Sequence, residues 1–387
     1  MREAVVVDAV RTPLGRRNGK LKNWHPVDLL AHVLQASVDR TGVDPLEVDD
    51  VIAGCVSQVG EQSCNIARNA WLAAGFPVEV PGTTVDRQCG SSQQAVHFAA
   101  QGVMSGAYDL AIACGVENMS RVPMGASLMS GPGFPFSEKL LARHPIVQQG
   151  LSAEMINERW AITREELDRV GFRSQTLAAQ ATAQGRFAAE IVPVPVEAGT
   201  VTTDEGIRET SLEKMASLKP AFAEDGKVTA GNSSQITDGA ASLMITTPER
   251  ARSLGLRPRA RFKSFALAAS DPVIMLTAPI PATQKVLKRA GLTLDDIGVV
   301  EINEAFASVV VAWAREMGLD PDEVTGAGTR VNPNGGAIAL GHPLGASGAR
   351  LMTTMLHELE RTGARFGLQT MCEGGGMANA TIIERLD

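Results

Sequence analysis

A single cysteine lies where a strand-like stretch of the chain changes into a helix-like one. Residues 84–95 begin with a β-branched pair, reach Cys89, and continue through small residues into a segment of helical periodicity. The apolar positions of that periodicity are Ala95, Phe98, Ala99, Gly102 and Val103. The pattern predicts a strand, a sharp turn and a helix, with Cys89 near the helix N-terminus, where free backbone N–H groups favour a thiolate. By itself such a cysteine is either a nucleophile or a buried, inert thiol.

Three further polar clusters occur in the last quarter of the chain. Residues 301–307 place Asn303 after a buried, strand-like run, where a parallel sheet commonly binds ligands. Residues 332–348 surround His342 with glycines, which indicates tight turns and a close backbone approach to a ligand. Residues 372–376 place a second thiol, that of Cys372, at a strand end, and three glycines follow Glu373.

Together these clusters favour one kind of chemistry. A thiolate needs a base or a cation nearby, and His342 supplies either. Cys372 could carry a proton if burial keeps its thiol neutral near pH 7. Backbone N–H groups at the turns could form an oxyanion hole. The sequence contains no metal cluster, P-loop or dinucleotide-binding motif that competes, so acyl transfer through a cysteine thioester is the predicted reaction class.

The segments around these residues alternate between strand and helix. Predicted strands lie at 4–9, 51–56, 109–114, 242–246, 299–302, 366–372 and 378–384, and predicted helices at 26–40, 65–74 and 347–361. This alternation is typical of a parallel α/β sheet. The last third of the chain repeats the order of the first third: residues 48–52 are similar to 294–298, and 110–115 are similar to 368–373, a register that matches Cys114 with Cys372. A duplicated half-domain is expected, with a site where the halves meet.

A change in composition near residue 119 predicts an inserted domain. Residues 121–136 are rich in Pro, Gly, Ser and Met, and a helix opened by a Thr163/Glu166 capping box follows. The predicted division is an N-terminal half at 1–118 plus 238–258, an inserted loop domain at 119–237, and a C-terminal half at 259–387.

Composition limits the classes of partner and of location. The chain has 387 residues, 44% of them hydrophobic and 20% charged, as in a globular protein of two or three domains. A net charge of −7 argues against nucleic acid as a partner. Five cysteines without a C-x-x-C pair indicate a reducing compartment. The acidic N-terminal start does not fit a signal peptide, and no apolar run approaches the length of a membrane span, so a cytoplasmic location is expected.

These motifs, in this order, resemble the thiolase family. The resemblance rests on the Cys89 turn, residues 231–241 (GNSSQITDGAA), residues 303–306 (NEAF), residues 341–343 (GHP) and residues 372–374 (CEG), and it covers the chain from residue 6 onward. It implies two βαβαβαββ halves in a five-layer αβαβα sandwich with an inserted loop domain, usually in a homodimer or homotetramer.

The resemblance also implies roles for individual residues. Cys89 would attack a 3-oxoacyl-CoA, His342 would activate it, and Cys372 would exchange protons with acetyl-CoA and CoA. His342 would also help to hold the thioester oxygen, with a water positioned by Asn303, and the N–H groups of Cys89 and Gly374 would form the second oxyanion hole. Coenzyme A is the co-substrate, with no permanently bound cofactor and no metal. The predicted CoA- and substrate-binding residues are Arg208, Ser234, Met124, Phe222, Phe306 and Ala230.

Three departures concern substrate choice. The family usually has Asn three residues before the nucleophile and Gly three residues after it, where this chain has Asp86 and Ser92. Met124 stands where relatives that make acetoacetyl-CoA tend to have histidine, so a degradative 3-ketoacyl-CoA thiolase is expected, with an acetoacetyl-CoA-forming acetyltransferase as the alternative. A decarboxylating ketoacyl synthase would replace Cys372 with a second histidine or asparagine, and a non-catalytic carrier would be expected to lack one of the four catalytic side chains.

Overall fold

A computed structural model describes residues 2–129, 131–328 and 330–386. The strands are β1 (Val5–Arg11), β2 (Gly15–Arg16), β3 (Asp50–Gly54), β4 (Gly82–Val85), β5 (Leu110–Asn118), β6 (Val194–Val196), β7 (Gly199–Val201), β8 (Thr237–Thr246), β9 (Ala260–Ala269), β10 (Val299–Ile302), β11 (Phe366–Glu373) and β12 (Met377–Arg385). The helices are α1 (Pro26–Thr41), α2 (Ile66–Ala73), α3 (Ser91–Ser105), α4 (Ala126–Met129), α5 (Glu138–Arg143), α6 (Gln149–Arg159), α7 (Arg164–Ala183), α8 (Leu212–Ala216), α9 (Pro248–Ser253), α10 (Pro279–Ala290), α11 (Ala307–Glu316), α12 (Asp322–Thr325) and α13 (Ser347–Thr362).

The strands form two similar sheets that meet along one short seam. The N-terminal sheet has the order β4-β3-β5-β8-β1, and the C-terminal sheet has the order β10-β11-β12-β9. They join where Val5 pairs with Arg261 and Val6 with Ala260. Parallel pairs link β4, β3 and β5 in one sheet and β10 and β11 in the other, and the remaining neighbours are antiparallel.

Helices cover both sheets and fill the space between them. Helices α1 and α2 pack on the outer face of the N-terminal sheet, and α10, with α11 beside it, packs on the outer face of the C-terminal sheet. Helices α3 and α13 contact each other and lie between the sheets. Their contact is polar as well as apolar, because the backbone N–H of Ala349 donates to Ser92 Oγ at 2.9 Å. The layers therefore run helix, sheet, helix, sheet, helix, which confirms the predicted five-layer sandwich.

The duplication is visible in the order of elements. The first half runs β1, α1, β3, α2, β4, α3, β5 and β8, a βαβαβαββ unit, and β9, α10, β10, α11, α13, β11 and β12 repeat it without the third strand. At the place of that strand, Val331 makes a single parallel bridge to Val300 on β10. The chain then continues directly into the glycine-rich segment that carries His342.

The register between the halves differs from the expected one. A 3-10 turn precedes each second strand at the same distance, Pro45–Glu47 before Asp50 and Leu294–Asp296 before Val299. Asp50 pairs with Ala111, and Val299 pairs with Gly367. The prediction that Cys114 matches Cys372 was therefore wrong by two residues: Val116 is the counterpart of Cys372, and Glu117 is the counterpart of Glu373. Weak similarity between short apolar strands cannot fix a register that backbone pairing sets.

Residues between β5 and β8 depart from the sheet and pack over its edge. Helix α7 begins at the predicted capping box, in which the Thr163 side chain accepts from Glu166 N and the Glu166 side chain accepts from Thr163 N. An ion cluster ties this segment to β1, because Arg11 donates to Asp204 at 2.7 Å and to Glu190 at 2.6 Å, all three buried. Strand β9 and helices α6, α10 and α11 lay outside the predicted elements. Within the described residues, no helix has the length and apolarity needed to cross a membrane.

Candidate active site

Cys89 lies in a tight turn between β4 and α3, as its surroundings in the sequence predict. Gln88, just before it, has a positive φ of 42°, which a non-glycine residue adopts only when its surroundings hold it there. The Asp86 carboxylate accepts from Gln88 N at 2.7 Å, and Ser91 Oγ accepts from Arg87 N at 2.9 Å. These bonds fix the turn at the start of α3. The thiol is buried, with 5% of Cys89 exposed.

His342 is held by the loop that leads into α13. Its backbone N–H donates to Thr237 Oγ1 at 3.0 Å, and Gly341 has φ 112° with a Thr237 atom where a Cβ would stand, so this position needs glycine. The imidazole Nδ1 lies 2.6 Å from Ser347 Oγ, whose own hydrogen is donated to the carbonyl of Pro343 at 2.9 Å. Ser347 must therefore accept from Nδ1–H, and Nε2 keeps its lone pair. The loop thus presents His342 as a base through Nε2.

Asn303 completes the histidine's surroundings. It follows β10, where its backbone N–H donates to the carbonyl of Thr370 at 3.1 Å. Its side-chain Nδ2 lies 3.4 Å from His342 Nε2, and its Oδ1 is buried without a hydrogen-bond partner among the described residues. The Asn303 amide therefore lies beside His342 Nε2 with its oxygen free to accept a hydrogen bond.

Cys372 ends β11 and faces the same site. Cys89 packs in one apolar cluster with Leu344, two residues after His342, and with Met371, next to Cys372. The two thiols are near enough that the charge of Cys89 is among the causes that raise the pKa of Cys372. A Cβ on Gly374 would lie 3.2 Å from Gln88 Cγ, so the backbone of Gly374 also borders the Cys89 turn. The fold therefore places Cys372 and Gly374 beside the Cys89 turn, and Asn303 beside His342, whose loop packs on Cys89 through Leu344.

Burial sets the protonation of the resting site. Burial, with a smaller contribution from the Glu373 carboxylate, raises the pKa of Cys89 to about 12. Burial likewise raises the pKa of Cys372. Burial and the nearby Arg350 guanidinium lower the pKa of His342 to about 3. In the resting protein the Cys89 thiol and the His342 imidazole are therefore both neutral.

Most of the residues predicted for CoA and substrate binding form a second group. The rings of Phe222 and Phe306 meet edge to face with centroids 5.9 Å apart, and Arg208 Nη2 lies 3.5 Å from the carbonyl of Ala230. Ser234 is bound through its backbone N–H to Ala305, next to Phe306. A cleft of about 140 Å³ opens beside Arg208 and is lined also by Lys214 and Glu209, so two cations and one carboxyl group border it. Met124 lies apart from this group on an exposed loop, 58% accessible.

The two departures beside Cys89 have structural explanations. Asp86 holds the turn through Gln88, as described above, and burial raises the pKa of its carboxyl group. Ser92 is buried and joins α3 to α13 by accepting from Ala349 N. Both side chains support the turn from outside the space between Cys89, His342 and Cys372.

Three functional side chains were missed in the sequence. Ser347 fixes the His342 tautomer, and Thr237 holds the His342 backbone. Glu117, on a strand of the N-terminal sheet, accepts from Gly345 N and so fixes the loop that follows His342. Ser347 had a weak signal, five residues after the histidine in a glycine-rich run. Glu117 had none beyond its place at the end of an apolar strand, because its partners come from distant parts of the chain.

Replacing Glu117 by alanine is expected to destabilise the protein. The buried carboxylate accepts from Val56 N and Ser57 N at 3.0 Å, from Gly345 N at 2.9 Å and from Gln62 Nε2 at 2.7 Å. Removing it leaves buried donors without partners, at a cost of roughly 3 kcal/mol in the free energy of unfolding. Urea unfolding measures the change.

The control for this variant is Glu249→Ala, which removes an exposed carboxylate paired with Arg252. It should change the free energy of unfolding by less than about 0.5 kcal/mol. Equal stability of Glu117→Ala and Glu249→Ala would contradict the structural role of Glu117.

A buried cysteine in a turn, a histidine and a second buried thiol lie between duplicated α/β halves, and the comparisons with known proteins assign this architecture to an acyltransferase. The sequence profile of the thiolase N-terminal domain matches residues 4–249, and that of the thiolase C-terminal domain matches residues 256–385. The chain belongs to the thiolase family.

Individual relatives match along the whole chain. The steroid 3-ketoacyl-CoA thiolase FadA6 of Mycobacterium tuberculosis is 53% identical over 100% of this chain and 95% of its own length. A 3-ketoacyl-CoA thiolase of Idiomarina loihiensis is 45% identical over the full length of both chains. The crystal structure of the acetyl-CoA acetyltransferase of Bacillus anthracis superposes with a TM-score of 0.90 at 42% identity, covering 100% of this chain and 99% of that one.

Proposed function

We propose that this thiolase cleaves a 3-oxoacyl-CoA with CoA, giving acetyl-CoA and a shortened acyl-CoA through an acyl-enzyme on Cys89. The observation that carries the proposal is the tautomer of His342, whose Nε2 is left as a base beside Asn303 by the bond from Nδ1 to Ser347. The second thiol, Cys372, supports a thiolase over a decarboxylating synthase. All four reactive side chains are present, which argues against an inactive carrier.

In the first half-reaction Cys89 Sγ attacks the 3-oxo carbon while His342 Nε2 takes the thiol proton. The C2–C3 bond breaks, and its electron pair passes into the acetyl-CoA enolate, which Cys372 protonates. The acyl group remains on Cys89 as a thioester. The N–H groups of Cys89 and Gly374 stabilise the oxyanion that forms when Cys89 attacks the 3-oxo carbon. Protonated His342, with a water held by Asn303, stabilises the oxygen of the acetyl-CoA enolate.

In the second half-reaction the Cys372 thiolate takes the proton of the incoming CoA thiol. The CoA sulfur attacks the thioester on Cys89, acyl-CoA leaves, and Cys89 recovers its proton from His342. Protons and charges return to their starting places after one cycle. A neutral thiol and a neutral imidazole are the state in which this cycle begins and ends.

CoA is proposed to lie along the segment 119–237, with its phosphates toward Arg208 and Lys214 and its pantetheine past Ser234. The cleft beside Arg208 and the edge-to-face pair of Phe222 and Phe306 support this path, since they pair cations with an apolar surface. The three domains divide as 1–118 with 238–258, 119–237 and 259–387 in this proposal. A homodimer or homotetramer in the cytoplasm is the proposed state.

The substrate is proposed to be degradative, a fatty or steroid-derived 3-oxoacyl-CoA. Similarity to relatives named 3-ketoacyl-CoA thiolase and steroid 3-ketoacyl-CoA thiolase supports it, as does Met124 in place of histidine. The acetoacetyl-CoA-forming alternative receives less support.

Steady-state kinetics across three substrates test the proposed class. For acetoacetyl-CoA, a medium-chain 3-oxoacyl-CoA and a ring-bearing 3-oxoacyl-CoA, kcat/KM should be highest for one of the two larger substrates, by about tenfold or more over acetoacetyl-CoA. The larger acyl groups gain apolar contacts that the acetyl group lacks. A preference for acetoacetyl-CoA would overturn the degradative assignment and leave the thiolase chemistry intact.

A further inference from the structure

The two halves place a glutamate at equivalent positions, but their surroundings differ. Glu117, at the end of β5, accepts from three backbone N–H groups and from Gln62. Its counterpart Glu373, at the end of β11, is fully buried; the Asn379 backbone N–H approaches its carboxyl group, but no side chain among the described residues hydrogen-bonds to either oxygen. A buried carboxyl group with so few donors needs an explanation, because burying it as a charge is costly.

Glu373 points at the beginning of α3, directly beside the nucleophile. A Cβ on Gly90 would lie 1.9 Å from Glu373 Oε1 and 2.9 Å from Asn379 Oδ1. Gly90, which follows Cys89, therefore lacks a side chain to make room for these two oxygens. The absence of a side chain at Gly90 leaves room for the carboxyl group next to Cys89.

Asn379 Oδ1 borders the same position at Gly90 as the Glu373 carboxyl group. The Asn379 Nδ2 lies 3.2 Å from Gln94 Oε1 and 3.4 Å from His97 Nδ1, and its Oδ1 has no hydrogen-bond partner among the described residues. A protonated Glu373 brings a hydrogen-bond donor to this place, whereas a carboxylate would bring only acceptors.

We propose, on the basis of the function above, that Glu373 is a positioning residue that acts through Cys89. Its carboxyl group is protonated in the reactive enzyme, and the carboxylate that forms when Glu373 loses this proton opposes the Cys89 thiolate. The loss of that proton places a negative charge beside the sulfur that must become negative to react. Cys89 would therefore gain nucleophilicity less steeply with rising pH than a thiol without such a neighbour.

The groups around Glu373 agree with a neutral resting carboxyl. Burial raises its pKa to about 8, while the Arg87 guanidinium and the Asn379 backbone N–H favour the carboxylate less strongly. His97 on α3 is neutral, because burial lowers its pKa to about 3. The charge of Glu373 is among the causes that raise the pKa of both Cys89 and Cys372. Glu117 and Asp86 are the other carboxyl groups near Cys89, with smaller effects on its pKa than that of Glu373.

The test measures iodoacetamide alkylation of Cys89 against pH in the full-length wild type and in Glu373→Gln, with the modified peptide identified by mass spectrometry. Glutamine has the shape of the protonated acid but cannot ionise. The ratio of the variant rate to the wild-type rate should be near 1 at about pH 6.5 and should rise to about fivefold at about pH 9.5. A ratio that does not change with pH would overturn the proposal.

Two further measurements separate the possible causes. Glu301→Gln is the matched control, since Glu301 is also a buried carboxyl in the C-terminal sheet with a pKa raised to about 8 by burial, but it faces Arg350. The ratio of its alkylation rate to the wild-type rate should not change with pH, and a rise with pH equal to that of Glu373→Gln would overturn the proposal. Infrared difference spectra should show a protonated carboxyl band in the wild type that Glu373→Gln lacks. Absence of alkylation at Cys89 while the exposed Cys64 is alkylated would instead contradict the proposed function itself.

Discussion

Cys89→Ser is expected to leave a folded protein that forms no acyl-enzyme. The serine hydroxyl is a far weaker nucleophile than a thiol in the same place, because its proton is held much more tightly. Turnover should fall by at least about 10³-fold. The fold should survive, since Cys89 contributes a small buried side chain and the turn is held by Asp86 and Ser91. Intact-protein mass spectrometry after mixing with a 3-oxoacyl-CoA checks for the acyl adduct, and circular dichroism checks the fold.

Cys64→Ser is the matched control for this change. Cys64 is the exposed thiol of the five free cysteines, and it lies before α2, away from the cluster of Cys89 with Leu344 and Met371. The control should keep the acyl adduct and the wild-type rate. An adduct of undiminished amount on Cys89→Ser would move the nucleophile to another residue and end the assignment.

The reactive residues were predictable because each has local causes. Cys89 follows a strand and precedes a helix, His342 stands among glycines, and Asn303 and Cys372 lie at the ends of buried strands. The residues next to each one in the sequence therefore indicate its structural setting. Their assembly in one place followed from a general rule, that ligands bind beyond the carboxyl ends of parallel strands. The duplicated order of elements predicted that two such edges meet.

The remaining features of the site depend on partners far apart in the chain. Ser347 and Thr237 act on His342 from α13 and from β8, and nothing in the spacing relates Thr237 to residue 342. The absence of a third strand from the second half could not be predicted from the sequence either. A single bridge at Val331 leaves no alternating hydrophobic pattern there. Glu117 and Glu373 show the limit most clearly. The same residue type at equivalent strand ends accepts four hydrogen bonds in one half and none from a side chain in the other, and only the surroundings decide between them.

Cys372→Ser is expected to slow both half-reactions by roughly 10³-fold, the usual contribution of a positioned acid or base. A serine at the end of β11 preserves the shape of the strand but neither gives up nor takes a proton near neutral pH. Single-turnover measurements separate the steps: formation of acetyl-CoA reports protonation of the enolate, and decay of the acyl-enzyme with added CoA reports deprotonation of the thiol. Both should fall together.

Alkylation of Cys89 by iodoacetamide distinguishes this role from that of the histidine. Activation of Cys89 belongs to His342, whose Nε2 is kept free by Ser347, so His342→Asn should slow alkylation as well as turnover. Cys372→Ser should leave alkylation within about twofold of wild type, because iodoacetamide needs the thiolate but no second proton carrier. Removing the second thiol also removes one ionisable neighbour of Cys89, which cannot lower its reactivity. An alkylation rate that falls as far as turnover in Cys372→Ser would assign Cys372 to the activation of the nucleophile and leave the enolate without its proton donor.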